Sequence, residues 1–208
     1  MFTEPRQRLV FEKVKEYFKK NKSDQLHEID HIVRVIFWTK MLSEKEGADL
    51  SITIPAAILH DIGLPEHGDG LHARKGAEMC RPVLKKCGYN EEEIERVAET
   101  VSMHSTDDPK DCKTLEGKVV FDADKLDATG PIGLHRWFFE YAKMGYLHHE
   151  VPAKILEHLQ KWRVKYGDPP FYTKTGREIG RERIKYIEDT CREILKDLEK
   201  FKEAYKLL

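Results

Sequence analysis

The chain has 208 residues, room for one core and at most a modest added lobe. Charged side chains make up 35% of it yet cancel to a formal net charge of −1, so no overall field draws it to nucleic acid or to an anionic membrane. No apolar run approaches the ~20 residues that span a bilayer, and the first residues lack the apolar core of a secretion signal, so a cytoplasmic protein is expected.

Apolar positions recur at helical spacing almost throughout. Leu9, Val10, Val14, Tyr17 and Phe18 predict a helix after Pro5. Ile32, Val35, Ile36, Thr39 and Leu42 predict a second that stops at Gly47. Residues 54–62 read as a short buried helix ending near Gly63, followed by a loop at 68–70. A helix over 71–87 ends at Gly88. Asn90 caps another over 91–104, whose acidic first turn complements the helix dipole. Residues 106–111 read as a loop. Residues 119–126 fit strand or helix, and helix is chosen because no partner strand is evident elsewhere.

Gly130, Pro131 and Gly133 imply a tight bend or a close helix contact. Trp137, Phe138, Phe139 and Tyr141 follow as a buried aromatic helix. Residues 167–170 break the chain, and a long charged amphipathic helix runs over 175–208. The expected architecture is all-α, a single domain over 1–208, with about 1–166 as core and about 167–208 as a helical lobe packed on it. Cys80, Cys87, Cys112 and Cys191 read as reduced thiols.

His60 and Asp61 close the apolar run 54–59. An imidazole and a carboxylate at the end of a buried segment are costly without a partner, and a divalent metal is a natural one. His31 lies upstream, and Asp122, Asp124 and Asp127 lie downstream in 121–127. Histidine, His-Asp and aspartate, each beside an apolar helical stretch, form a set of ligands converging from several helices. Such nitrogen and oxygen donors suit Mn, Fe, Co, Ni or Zn. Four protein ligands leave open positions on a six-coordinate ion for water, which points to hydrolysis of an activated ester or anhydride.

Arg34 shares a helix face with His31, where a bidentate phosphate contact and a structural ion pair fit equally. Residues 27–31 also match the His-Glu-x-x-His of zinc proteases. That reading lacks a third histidine and leaves His60, Asp61 and Asp124 unexplained. No phosphate-binding glycine loop, dinucleotide fingerprint or nucleophile elbow occurs.

His27-Glu28-x-x-His31-x-x-Arg34-Val35, His60-Asp61 and Ala123-Asp124-Lys125-Leu126-Asp127-Ala128-x-Gly130 resemble the HD-domain superfamily of metal-dependent phosphohydrolases. The likeness is nearest to small stand-alone bacterial and archaeal proteins with nucleotide pyrophosphohydrolase activity. Gly76-Ala77-Glu78, His104-Ser105, Gly130-Pro131-Ile132-Gly133-x-x-Arg136 and Thr175-Gly176-Arg177 with Arg183 carry it over nearly the whole chain, although Thr129-Gly130-Pro131 departs from the subgroup's pattern.

The resemblance implies an HD-domain helical bundle with a C-terminal helical lobe. It implies His31, His60, Asp61 and Asp124 as ligands of one divalent ion (Mn, Fe, Co, Ni, Zn or Mg). Asp124 is preferred to Asp122 because the family places its ligand before a basic residue, a leucine and a second aspartate. Asp61 would align the attacking water. His72 and His104 would serve as donors or a general acid, or would bind a second ion as in some relatives. His27, Arg34, Lys125 and Arg136 are the substrate-side candidates, and Asp127 is expected to orient a neighbour. The implied partner is a small phosphorylated molecule, a nucleotide by resemblance. Two other outcomes stay open: a dinuclear-iron oxygenase of the same superfamily, and a nucleotide-binding regulatory module without turnover.

Overall fold

The computed structural model describes residues 2–21, 29–68, 70–105 and 112–205. His27 and the loop expected at 106–111 lie outside the described residues, as does Asp69. Among the described residues every regular element is helical: α1 (Pro5–Lys20), α2 (Ile29–Glu46), α3 (Leu50–Leu59), α4 (Leu64–His67), α5 (His72–Lys86), α6 (Glu91–Met103), α7 (Leu115–Asp127), α8 (Gly130–Lys143), α9 (Val151–Tyr166) and α10 (Lys174–Leu198). A 3₁₀ turn (Glu199–Phe201) and α11 (Lys202–Tyr205) follow. No described helix is long and apolar enough to cross a membrane.

Two compact units emerge. One comprises Met1–Asp127 with Phe171–Gly176, the other Ala128–Pro170 with Arg177–Leu208. The first is organised around α3. Asp49 caps it by accepting from Ser51 N at 2.9 Å. Its Ile52, Ile54, Ala56, Ala57, Ile58 and Leu59 are all fully buried. A helix that is apolar all round belongs at the centre of a bundle, and α3 packs against α1, α2, α6 and α7. The Asn90 cap of α6 forms as expected, with Glu93 N donating to Asn90 Oδ1 and Asn90 N donating to Glu93 Oε2. Residues 119–126 are helical: α7 buries Val119, Val120, Phe121, Ala123 and Leu126 and packs on α2, α3 and α6.

The segment 171–176 closes this unit. Phe171 is fully buried, and the Tyr172 ring lies 4.6 Å from that of Phe121. Asp122 Oδ1 accepts from Tyr172 N at 2.8 Å, and its Oδ2 accepts from Thr173 N and Thr173 Oγ1, each at 2.7 Å. Glu46 accepts from Thr175 N at 2.6 Å. A Cβ on Gly176 would fall 2.4 Å from Asp122 Oδ2, so only glycine fits there.

In the second unit α8 packs on α9, an element the sequence reading missed. Gly133 makes the expected close contact, since a Cβ there would sit 2.4 Å from Ala128 O. Gly130 has φ +66°, and the Arg183 guanidinium lies over it, donating from Nη2 to Thr129 O at 2.6 Å. The aromatic residues of α8 are not core. Trp137, Phe138 and Tyr141 are half-buried and Phe139 is exposed. Within the unit Trp137 and Tyr141 face α9: Trp137 meets His158 at 4.4 Å and Trp162 at 5.6 Å between ring centroids, and Tyr141 Oη lies 3.3 Å from His158 Nδ1. The final amphipathic helix stops at Leu198, short of the expected end.

Candidate metal centre

Helix ends build the site. His60 is the C-cap of α3 and His104 the C-cap of α6. Each turns its ring back on its own helix. His60 Nδ1 donates to Ala57 O at 2.8 Å and His104 Nδ1 to Val101 O at 2.7 Å. A carbonyl only accepts, so Nδ1 carries the proton and Nε2 presents a lone pair in both neutral rings. His31, on the first turn of α2, reaches the same state by another route: its Nδ1 lies 2.7 Å from Asp127 Oδ2.

Three freed nitrogens therefore meet carboxylates in a buried space. His31 Nε2 lies 3.2 Å from His60 Nε2, 3.2 Å from Asp124 Oδ1 and 3.6 Å from Asp61 Oδ2. His60 Nε2 lies 3.1 Å from Asp61 Oδ2 and 4.0 Å from Asp124 Oδ1. Two imidazole nitrogens facing each other this closely need a cation between them, a metal ion or, without one, the proton held by His60. Donor atoms of one metal shell, about 2.1 Å from the ion, stand roughly 3.0–3.4 Å apart. Asp61 Oδ2 is enclosed with no hydrogen-bond donor aligned on it, which is costly unless a cation faces it. The four residues fit a divalent ion on these grounds.

Asp61 has a second face. Its Oδ1 lies 3.7 Å from His72 Nε2 and 3.6 Å from His104 Nε2, and those two nitrogens are 3.0 Å apart. His31, His60 and Asp124 thus form one group able to hold a metal, and Asp61, His72 and His104 a second. The carboxylate of Asp61 points one oxygen at each. Backbone contact places His72: Gly63 packs so tightly on the first turn of α5 that a Cβ would sit 2.4 Å from His72 O.

Burial and charge compete at every group. Burial lowers His60, but the charges of Asp61 and Asp124 outweigh it and raise the imidazole to about 9. Burial pushes Asp61 up, yet the charge of His60 and the His104 and His60 rings hold it well below the usual carboxylate range. Asp124 also stays far below that range, because contact with His31 and the charge of His60 override its burial. Burial keeps His104 lowered, with the neighbouring His60 and His72 adding to it and Asp61 opposing.

Of the other expected site residues, Arg34 grips Asp127 with two donors, Nε to Oδ1 at 2.6 Å and Nη2 to Oδ2 at 3.1 Å, while Nη1 binds Asp30 at 2.7 Å. This is the ion-pair geometry of the two weighed for it. Lys125 lies beside Asp124 in sequence and places its Nζ 4.4 Å from the Phe121 ring centroid. Arg136 sits on α8 in the second unit. The side chain of Asp124 is 29% exposed, against at most 9% for His31, His60, Asp61, His72 and His104, so the cluster opens to solvent at Asp124.

Asp122 instead spends both oxygens on the 171–176 segment. Helix geometry explains the division. Residues two apart on a helix point to nearly opposite faces, whereas residues three apart share one. Asp124 and Asp127 therefore face His31 and Arg34 together.

Residues 29–129 match the family model of the HD domain, and over that span the chain carries an HD domain. Among curated proteins it is similar to YpgQ of Bacillus subtilis (strain 168), 29% identical over 179 residues that cover 83% of this chain and 84% of that protein. Among solved structures it is similar to B. subtilis YpgQ in complex with ADP, at 26% identity and a TM-score of 0.70 over 92% of this chain and 94% of that one. It is likewise similar to an HD-superfamily hydrolase from Bacillus thuringiensis, at 26% identity and a TM-score of 0.72 over 93% of this chain and 96% of that one.

Proposed function

We propose that the chain is a metal-dependent phosphohydrolase that cleaves a phosphate ester or anhydride of a nucleotide. The observation that carries this reading is the buried meeting of His31, His60, Asp61 and Asp124 in a family of hydrolases. The nucleotide as substrate class is supported by the ADP complex of YpgQ.

His31, His60, Asp61 and Asp124 would hold the ion, which when bound supplies a readily ionised water and polarises a phosphoryl oxygen. The chain's own residues do the rest. Asp61 turns Oδ1 towards His72 and His104 and can accept a hydrogen bond from the attacking water, aligning it. His104 keeps its proton on Nδ1, so it would donate to a phosphoryl oxygen or deliver a proton to the leaving oxygen only after its Nε2 has taken one up; His72, whose Nε2 lies 3.0 Å away, would share that part. Substrate enters at the exposed edge of Asp124, where Lys125 supplies the nearest cation in sequence. Purified protein should contain stoichiometric transition metal and release phosphate or pyrophosphate from nucleotides with Mn²⁺. His60→Ala and Asp61→Ala should each lose metal and turnover. Full metal occupancy in both variants would overturn the ligand assignment.

A second reading rests on the group Asp61, His72 and His104. If it holds a second iron, oxygen chemistry becomes available. Two ions per chain with substrate-dependent oxygen uptake would favour it, and one ion with steady phosphate release would reject it.

A further inference from the structure

Arg34, Asp127 and His31 form a buried chain that ends at the cluster. The Asp127 side chain is 1% exposed and that of His31 0%. Asp127 receives Arg34 Nε on Oδ1, and on Oδ2 it receives both Arg34 Nη2 and His31 Nδ1. A carboxylate gripped by a guanidinium fork is held in plane and has no proton to give. Its contact with His31 therefore settles the tautomer: Nδ1 keeps the proton and Nε2 is left bare, 3.2 Å from both His60 Nε2 and Asp124 Oδ1. His60 and His104 obtain the same tautomer from carbonyls of their own helices. For His31 the acceptor comes from a different helix. The carboxylate of α7 takes that place.

We propose that Asp127, held by Arg34, is the positioning residue that fixes His31 as a ligand, and that Arg34 therefore acts on the metal centre through Asp127 rather than as a phosphate contact. The proposal rests on the reading of His31, His60, Asp61 and Asp124 as metal ligands. An asparagine at 127 makes it testable. Its amide has one acceptor oxygen, and Arg34 and His31 both present donors to it. With the oxygen on Arg34, the amide NH₂ meets His31 Nδ1. Arginine cannot yield its protons, whereas the imidazole can move its own to Nε2, straight into the cluster.

The experiment is a Mn²⁺ titration of metal-free wild type, Asp127→Asn, Asp127→Glu and Arg34→Lys, with ¹⁵N NMR of the histidine rings and a melting curve for each. Asp127→Asn should weaken Mn²⁺ binding about 10–100-fold and move the His31 proton to Nε2. Asp127→Glu, which keeps the acceptor, should recover part of the affinity and the original tautomer. Arg34→Lys should weaken Mn²⁺ binding with KM for the nucleotide little changed. A lower melting temperature with His31 tautomer and Mn²⁺ affinity intact would reduce both residues to structural ion-pair partners and overturn the proposal. A raised KM with intact Mn²⁺ affinity in Arg34→Lys would overturn it in favour of phosphate contact. If wild type itself takes up no Mn²⁺, the metal reading fails, and the His31 tautomer in Asp127→Asn still decides the role of Asp127.

Discussion

Gly63 and His72 touch through their main chains: a Cβ on Gly63 would lie 2.4 Å from His72 O and 2.8 Å from Gly76 N. Backbone atoms cannot step aside as a side chain can, so Gly63→Ala must push α5 off the turn that carries His60 and Asp61. We expect a loss of roughly 1–3 kcal/mol, seen as a melting temperature lower by several degrees. Gly76→Ala, whose Cβ would meet its nearest neighbours at 3.4 Å, should cost much less. Equal melting temperatures for the two variants would refute the backbone contact.

Metal binding should strengthen as pH rises. In the metal-free protein His60 is raised to about 9, so at neutral pH its Nε2 carries a proton where the ion would sit. Binding must expel that proton. Apparent Mn²⁺ affinity should climb close to tenfold per pH unit below about 9 and level off above it. Titrations between pH 6.5 and 9.5 read this directly, and a flat profile would rule it out.

Asp122 should give an opposite signature in stability. Burial raises it to about 6 from an ordinary 3.8, against the pull of its hydrogen bonds from Tyr172 and Thr173. A carboxyl raised on folding stabilises the native state fully below its unfolded value, and that contribution is lost as pH climbs through about 6. Asp122→Asn has no such titration. The variant should therefore be penalised more at pH 4.5 than at pH 7.5, by about 2 kcal/mol. Urea denaturation of the metal-free proteins at both values measures it, and a pH-independent penalty would contradict it.

His104→Ala separates the two roles open to its imidazole. If His72, His104 and Asp61 hold an ion, metal content should fall from two per chain to one. If they serve the substrate, content stays at one and turnover drops by about 10²-fold or more. Elemental analysis beside phosphate release gives both numbers on one preparation.

The helical order was legible because apolar spacing and caps are local signals. Asn90 and the capped start at Glu91 illustrate this. The histidine and aspartate cluster was legible because His60 and Asp61 close an apolar run that had to be central. The choice of Asp124 over Asp122 came from family resemblance, although helix geometry alone separates their faces. What remained hidden depends on partners distant in sequence. Arg34 reads as a phosphate ligand or an ion-pair residue until Asp127, 93 positions away, is seen against it. The aromatic run 137–141 reads as core because composition says nothing of how many neighbours a helix will have.

The contribution of 171–176 to the first unit sets an order of events during synthesis. Translation delivers every helix from α1 to α7 and then 43 further residues, 128–170, before Phe171 emerges. Until the ribosome has made Tyr172 and Thr173, the Asp122 carboxylate has none of the three donors that meet it in the finished protein. Until then the acid on α7, two residues from Asp124, can be met only by water, and the bundle cannot reach its final packing while it is still being extended. Completion is tied to a late stretch of message, so a chain released early should lack a finished HD bundle even though residues 29–129 are all present.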